Sequence, residues 1–201
     1  MKMIAPSAES KTEQSTGHTR ILLVDDHPVF RRGTAALVQG AGVLEVVGEA
    51  SNAAEAIQAI HHLSPDVVLL DISLPGQDGI AVIKQILEQH PDLPILVVSM
   101  HAASVYALRA LRAGAKGYLM KTEALAQLLP AIRRVSEGRV YVSPEFGQRL
   151  IFKAIHSQDN HDASPVDRLS DRELEVLQLF GKGENARDIA KALHLSIKDI
   201  E

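Results

Sequence analysis

The 201-residue sequence contains no cysteine, which excludes disulfide bonds, thiolate-bound structural zinc and thiol catalysis. It has no apolar run near the roughly 18 residues that a membrane-spanning helix needs, and its N-terminus lacks the apolar core of a secretory signal. Basic residues are not in excess, since 21 Lys and Arg stand against 25 Asp and Glu. That balance excludes a uniformly basic nucleic-acid coat, although a local patch can still bind DNA. We therefore expect a cytoplasmic protein with no membrane partner.

Changes in composition divide the chain into segments. Hydrophobic residues make up 46% of it, enough for a core in one large or two small domains. Residues 1–19 are polar without apolar periodicity and predict a disordered tail. Residues 157–168 have almost no apolar content and indicate a linker. We expect one domain over 20–138, a linker with a possible helix over 139–168, and a partial small domain over 169–201.

Short apolar runs alternate with amphipathic helical patterns between residues 20 and 138. Runs that are apolar throughout, rather than at every second position, indicate strands covered on both faces, as in a parallel sheet. Five strands alternating with five helices predict a doubly wound α/β domain, whose ligands bind at the carboxyl ends of the strands. The apolar runs cover residues 21–24, 46–47, 67–70, 95–98 and 117–120. The helical patterns cover residues 28–39, 53–62, 79–88, 104–112 and 122–137.

Further helical patterns follow this domain. A possible helix covers Pro144–His156. Ser170 and Glu173 form a capping box that predicts the start of another helix. A helix is also predicted over 186–193, and Ser196 is placed to cap a third that has scarcely begun at the end of the sequence.

Polar side chains occur at the carboxyl ends of four predicted strands. Asp25 and Asp26 follow the first strand, Asp71 the third and Lys121 the fifth, and Ser99 ends the fourth. Parallel strands bring these ends to one edge of the sheet. Three carboxylates gathered there repel one another unless a cation neutralises them, and a hard divalent ion with oxygen ligands, Mg²⁺ above all, meets that need.

This set of residues suits phosphoryl transfer to a carboxylate. Asp71 would be the nucleophile, Mg²⁺ and Lys121 would carry the charge of the phosphoryl oxygens, and the Ser99 hydroxyl would bind one of them in the product. Each residue also has a purely structural interpretation. Asp25 and Asp26 could cap the helix that starts near residue 28, Asp71 could simply end a strand, and Lys121 could be a solvated surface residue. Their joint occurrence at four strand ends favours the functional interpretation.

The histidines carry weaker signals. His27 adjoins the acidic pair and could tune it, but a role in starting the next helix is favoured. The other candidate histidines are His61, His62, His90 and His101. They are not spaced like metal ligands, so solvated roles at helix ends or in loops are favoured over zinc binding.

Four motifs in combination resemble the receiver domain of two-component response regulators. They are ILLVDDHP at 21–28, VVLLDISLP at 67–75, SMH at 99–101 and GAKGYLMK at 114–121. The DDHP and SMH motifs are typical of the NarL/FixJ subfamily. Residues 169–201 resemble the start of a LuxR-type helix-turn-helix domain. The resemblance implies a flavodoxin-like five-stranded sheet of order 2-1-3-4-5, followed by a small, incomplete all-α domain.

The resemblance also implies a role for each site residue. Asp71 would be the phosphoacceptor, charged by a sensor histidine kinase. Asp25 and Asp26 would hold Mg²⁺ together with Asp71 and the backbone carbonyl of Ser73, and Lys121 would assist the transfer. The family's mechanism makes Ser99 and Tyr118 a switch pair, in which the phosphoryl group draws the hydroxyl inward and the aromatic ring follows. Phosphorylation would promote a homodimer. The chain departs from many receivers outside the subfamily in having Thr122 after the lysine, where those have proline.

Three classes of function follow. The favoured one is a phosphorylation-controlled DNA-binding regulator of transcription. The second is a DNA-free phosphoacceptor or inhibitory partner that uses only the receiver. The third is an enzyme such as a phosphatase, which a second acid/base Asp two residues after Asp71 would support, but position 73 is Ser. We therefore expect no dedicated enzyme.

DNA binding by this chain is expected to be weak. The sequence ends about one turn into the predicted recognition helix, where Lys198 is the candidate DNA contact. Residues 165–201 hold six basic and eight acidic residues, a net charge of −2 that opposes phosphate neutralisation. We expect this chain to bind promoter DNA no better than random DNA, and a longer form to bind specifically. The abrupt end favours a fragment of a longer regulator over a naturally shortened form.

Overall fold

The structure, a computed structural model, describes residues 18–156, residue 169, and residues 171–196 except 182 and 194. The strands are β1 (Thr19–Val24), β2 (Leu44–Ala50), β3 (Val67–Leu70), β4 (Ile95–Ser99) and β5 (Gly117–Met120). The first five helices are α1 (Pro28–Gln39), α2 (Ala53–Leu63), α3 (Gly79–Gln89), α4 (Ala103–Arg112) and α5 (Ala124–Ser136). The later helices are α6 (Pro144–His156), α7 (Asp171–Gly181) and α8 (Ala186–Ala192).

The five strands form one parallel sheet in the order β2-β1-β3-β4-β5. Alternate residues of a strand face opposite sides of a sheet, so apolar runs place apolar side chains on both faces. Leu22 and Val24 of β1 pack in one core with α2, α3 and α4. Ile21 and Leu23 pack in a second core with α1 and α5. The predicted doubly wound fold and its strand order are confirmed.

The edge strand β2 is longer than the two apolar residues that predicted it. Its exposed residues include Glu45 and Glu49, which interrupt the apolar pattern on both sides of the two valines. The register with β1 shifts between Ile21, which pairs with Val46, and the next residue, which pairs with Gly48. Charged side chains and an irregular register both protect a sheet edge from pairing with other chains.

Short polar side chains begin α2 and α3. The Asn52 side chain accepts a hydrogen bond from the Glu55 amide, and the Asp78 side chain accepts one from the Ile80 amide. The Glu55 carboxylate in turn accepts hydrogen bonds from the Ser51 amide and hydroxyl, at 2.7 and 2.8 Å. These hydrogen bonds lower the pKa of Glu55 below its ordinary value, because they favour the charged form. Each helix start is thereby fixed by its own sequence.

The chain beyond α5 pairs with the edge of the sheet at β5. Tyr141 forms a parallel bridge with Gly117. The Tyr141 amide donates to the Lys116 carbonyl, and its carbonyl accepts from the Tyr118 amide, both at 2.9 Å. Phe146 of α6 is buried in the same core as α4. The first residues expected as a linker are thus attached to the sheet.

Two short helices lie in the C-terminal segment, where the sequence predicts them. Ile189, Ala190 and Leu193 are buried, and the Asn185 side chain caps α8 by accepting from the Asp188 amide. Several expectations lie outside the described residues: most of the tail, the linker at 157–168, the cap Ser170, the helix after Ser196 and the contact Lys198. Among the described helices, none combines the length and apolar character needed to cross a membrane.

Candidate functional site

The side chains that the sequence places at strand ends meet in the structure. Lys121 Nζ lies 2.6 Å from Asp71 Oδ2 and 2.7 Å from Asp25 Oδ2. All three residues are buried, with 8%, 2% and 5% of their surfaces exposed. A buried ammonium group between two buried carboxylates leaves the cluster with excess negative charge, to which Asp26 adds.

Backbone contacts fix the Asp71 carboxylate at the end of β3. Its own amide donates to the Val24 carbonyl at 2.8 Å, which ties it to β1. Its Oδ1 accepts from the Ser73 amide at 3.0 Å, while Oδ2 faces the lysine. The start of α3 lies against this loop, since a Cβ added to Gly79 would be 2.3 Å from Ile72 Cα. Only glycine allows so close an approach.

The acidic pair lies beside Asp71. Asp25 Oδ1 accepts from the His27 amide at 2.8 Å. Asp26 Oδ1 is buried and receives no hydrogen bond from the described residues, although His27 Nδ1 lies 2.6 Å away. Ligand atoms of Asp25, Asp26, His27 and Asp71 all lie within 4.8 Å of one another. An orphaned carboxylate oxygen beside two other carboxylates is a donor set that fits a divalent cation.

Helix α1 contributes two side chains that the sequence analysis missed. The Phe30 ring centroid lies 4.6 Å from Lys121 Nζ, a cation–π contact. Arg31 donates from Nη1 to the Asp25 carbonyl and lies 2.6 Å from Glu49 Oε2 through Nε. Their spacing, three and four positions after His27, indicates a shared face of the helix, but it does not indicate which residues they contact.

Ser99 and Tyr118 are both bound to His101. The buried Ser99 Oγ accepts from the His101 amide at 3.2 Å. The buried Tyr118 hydroxyl donates to the His101 carbonyl at 2.9 Å. The His101 ring lies against the Tyr106 ring, with centroids 4.6 Å apart. The two residues predicted as a pair are therefore connected through the polar backbone groups of one loop residue.

Two protein families match this chain, one over the N-terminal domain and one over the C-terminal segment. Residues 21–133 match the response regulator receiver domain, and residues 167–201 match the bacterial regulatory proteins of the luxR family. The chain belongs to the two-component response regulators. This response regulator carries a receiver and a LuxR-type DNA-binding domain, as the sequence motifs predict. Its family comprises response regulators, which are generally not dedicated enzymes.

Relatives resemble this response regulator along most of its length. It is 35% identical to response regulator GacA of Pseudomonas viridiflava over 181 residues, covering 90% of this chain and 84% of the relative. It is 37% identical to oxygen regulatory protein NreC of Staphylococcus haemolyticus over 186 residues, covering 90% and 86%. Such relatives are response regulators of the NarL type.

Solved structures show the same fold. A LuxR-family response regulator from Aurantimonas sp. SI85-9A1 has a TM-score of 0.66 and 36% identity, covering 70% of this chain and all of that one. RcsB of Salmonella enterica serovar Typhimurium, solved bound to the promoter rprA with the phosphomimetic BeF₃⁻, has a TM-score of 0.62 and 30% identity. That match covers 92% of this chain and 87% of the neighbour.

Proposed function

We propose that this response regulator accepts a phosphoryl group on Asp71 from a sensor histidine kinase and, in response, controls transcription at promoter DNA in the cytoplasm. The observation that carries the proposal is the setting of Asp71. Its carboxylate is held at the strand edge by Lys121, 2.6 Å away, and by the Ser73 amide, beside two further carboxylates. This geometry presents a fixed nucleophilic oxygen with a cation in contact.

Three carboxylates supply the metal-binding part of the site. Asp25, Asp26 and Asp71 would hold Mg²⁺, with the Ser73 backbone carbonyl as a further ligand, as the family resemblance implies. When bound, the ion neutralises negative charge on the transferring phosphoryl oxygens. Asp26 is the stronger candidate ligand of the acidic pair. Its Oδ1 receives no hydrogen bond within the described residues, whereas both oxygens of Asp25 are engaged.

The protein side chains carry the transfer. An Asp71 carboxylate oxygen attacks phosphorus while the bond from phosphorus to the kinase histidine nitrogen breaks. Lys121 contributes a positive charge that is already in place and needs no reorganisation. The phosphoryl group then replaces a singly charged carboxylate with a group of higher negative charge. Lys121 and the Ser99 hydroxyl are the partners we propose for its oxygens.

Ser99 and Tyr118 would transmit that change. If Ser99 Oγ turns to the phosphoryl group, the His101 amide loses its acceptor and the loop that holds Tyr118 is free to shift. The proposed outcome is a homodimer that binds promoter DNA. RcsB, a similar protein, is described in complexes of two dimers on two parallel DNAs, which supports this proposal.

Phosphorylation by a small donor tests the proposal directly. The chain is incubated with Mg²⁺ and acetyl phosphate, and intact mass measures the phosphoryl groups gained. We expect one group on the wild type and none on Asp71→Asn, which lacks the nucleophilic oxygen. Asp92→Asn, an exposed carboxylate outside the site, is the matched control and should label normally. Full labelling of Asp71→Asn would refute the assignment.

A second experiment tests the contribution of each charge. Asp26→Ala should weaken Mg²⁺ binding and slow phosphorylation, and Asp25→Ala should weaken binding less. Lys121→Ala should keep most of its Mg²⁺ affinity while losing phosphorylation. Equal Mg²⁺ affinities in wild type and Asp26→Ala would contradict the metal role.

A further inference from the structure

Exposed basic residues lie at one end of the sheet, beside the edge strand β5. Helices α4 and α5 contain no acidic residue, and each has arginines in its last turn. Further basic residues occur in the loop before β5 and in the segment after α5. We call this set the basic edge; its exposed members are Arg112, Lys116, Arg133, Arg134 and Arg139.

Backbone contacts hold the members of the basic edge near one another. The Arg139 amide donates to the Arg134 carbonyl at 3.0 Å, and the Tyr141 amide donates to the Lys116 carbonyl at 2.9 Å. Arg112 ends α4 four residues before Lys116, and Gly114 between them has a φ of 107°. A helix between parallel strands returns the chain to the amino end of the sheet. The basic edge therefore lies at the end of the sheet opposite to Asp71.

Most of this positive charge has no acidic partner. Within the described residues, only Arg139 of the basic edge forms an ion pair, with Glu137 at 3.3 Å, and its side chain remains 66% exposed. Glu123 lies at the other end of α5, and Glu88 and Asp92 belong to α3 and to the loop before β4. Exposed like charges that are not neutralised within the protein attract an anionic partner.

The helix dipole explains only part of this arrangement. Basic residues in the last turn of a helix interact favourably with the negative end of its dipole, which accounts for the arginines of α4 and α5. Lys116 and Arg139 lie beyond the last turns, where this effect falls off. Their charges therefore require another explanation.

We propose that the basic edge binds the phosphate backbone of duplex DNA without reading its sequence, so that the receiver itself contributes to DNA affinity. The inference rests on the proposed function in one respect, that this chain acts at DNA. Residues 165–201 carry a net charge of −2 and so provide little phosphate neutralisation of their own. The segment after Arg139 connects the receiver to the part that matches the luxR family, which tethers the basic edge to a DNA-binding domain.

The opposite end of the receiver carries the opposite charge. Asp25, Asp26 and Asp71 contribute three negative charges there, and Lys121 contributes one positive charge. DNA phosphates repel this end and attract the basic edge. A receiver held by its basic edge would therefore keep Asp71 away from the duplex, where a kinase can still reach it.

Binding of a fluorescent duplex of random sequence tests the inference. Anisotropy measures the affinity of the 201-residue chain between about 50 and 200 mM NaCl, where log K falls by about 0.9 per phosphate contact for each unit of log salt. We expect the double variant Arg133→Gln, Arg134→Gln to lower the magnitude of this slope by about two. Its affinity at the lowest salt concentration should fall at least about tenfold.

The matched control is the double variant Arg32→Gln, Lys84→Gln. It removes the same charge from exposed positions on α1 and α3, outside the basic edge, and should change the slope and the affinity far less. Acetyl phosphate should label Asp71 equally in both double variants, which shows that the receiver is folded in each.

Lysine acetylation provides a second readout on the unsubstituted chain. A reagent that acetylates exposed amines is applied with and without the random duplex, and peptide masses report each lysine. DNA should protect Lys116 and leave Lys84 reactive, although both are exposed in the free chain. Polyglutamate at the same charge concentration should protect Lys116 less, because DNA has a denser charge and releases condensed counterions.

The outcomes separate this inference from the proposed function. If the chain does not bind the duplex at low salt, or if the two double variants lose equal affinity, the inference is wrong. Equal protection of Lys116 by polyglutamate would also overturn it, in favour of an acidic protein partner. Mg²⁺-dependent labelling of Asp71 would still stand in those cases. If DNA protects Lys116 but Asp71 is not labelled, the proposed phosphoryl transfer fails and the DNA contact remains.

Discussion

Lys121 Nζ and Asp71 Oδ2 lie 2.6 Å apart, and their side chains are only 4% and 1% exposed. Placing both charges in the protein interior costs several kcal/mol per ion, which their attraction offsets only with good geometry. The second carboxylate, Asp25, supplies a further contact at 2.7 Å. Lys121, Asp71 and Asp25 therefore stabilise the fold only together. Removing one charge leaves the remaining charges buried without full compensation.

Lys121→Met should destabilise the receiver in metal-free buffer. The substitution leaves Asp25 and Asp71 buried together without a cation, and breaking a buried pair costs about 3–5 kcal/mol. Mg²⁺ should recover part of the loss, because the ion replaces the missing positive charge. Urea unfolding with and without MgCl₂ measures both effects. Lys116→Met, at an exposed lysine, is the control, and equal stability of the two variants would contradict the prediction.

Gly33→Ala should stabilise the protein. Gly33 lies inside α1, is exposed, and has no atom within 4 Å of the position of an added Cβ. Alanine costs less backbone entropy than glycine in a helix, by about 0.5–1 kcal/mol. The midpoint of urea unfolding should rise without a change in slope. A lower midpoint would show that α1 tolerates no added methyl group on this face.

Gly79→Ala should act in the opposite direction. Its Cβ would lie 2.3 Å from Ile72 Cα and 2.4 Å from the Ile72 carbonyl oxygen, so the loop after Asp71 must move. Overpacking of this kind costs about 1–3 kcal/mol. We also expect slower labelling of Asp71 by acetyl phosphate at a temperature where the variant is folded. Unchanged stability and labelling would mean that the loop adjusts freely.

Tyr141→Phe should reduce the decrease in the free energy of unfolding that occurs at high pH. Burial, the largest cause, together with the Glu123 charge, raises the pKa of Tyr141 above its ordinary value of 10.0. The unfolded chain then loses this proton first as the pH rises. The stabilisation from Tyr141 is therefore complete below pH 10.0 and is lost as the pH rises through the folded-state pKa.

The measurement for Tyr141→Phe is the free energy of unfolding between pH 8 and 11. The difference between the two proteins should be constant at the lower pH values and should shift in favour of the variant above about pH 10. Lysine titration affects both proteins equally and cancels in the difference. Parallel curves over the whole range would show that Tyr141 ionises equally easily in both states.

The sequence predicts the fold because its signals are local and repeated. Apolar runs define four strands closely. Only β2 is underestimated, because charged residues such as Glu45 and Glu49 interrupt its apolar pattern. The meeting of Asp25, Asp71 and Lys121 follows from topology alone, because parallel strands end at one edge. Such contacts need no knowledge of side-chain rotamers.

The remaining contacts depend on packing that no pattern encodes. Phe30 contacts Lys121, and Arg31 contacts Glu49 of β2, through the packing of α1 against elements that are distant in sequence. The sequence interpretation of His101 as a loop residue left out its backbone bonds to both Ser99 and Tyr118. The two His101 bonds use its backbone amide and carbonyl, which every residue has, so the residue type at this position does not indicate them.

The bridge between Tyr141 and Gly117 bears on how a receiver can be cut from this chain. A fragment ending at residue 133, where the family match stops, would lose Tyr141 and the buried Phe146. The Tyr118 amide and the Lys116 carbonyl would then lie on an open strand edge, which recruits other chains. We expect that fragment to self-associate and precipitate at concentrations where one ending at residue 156 stays in solution.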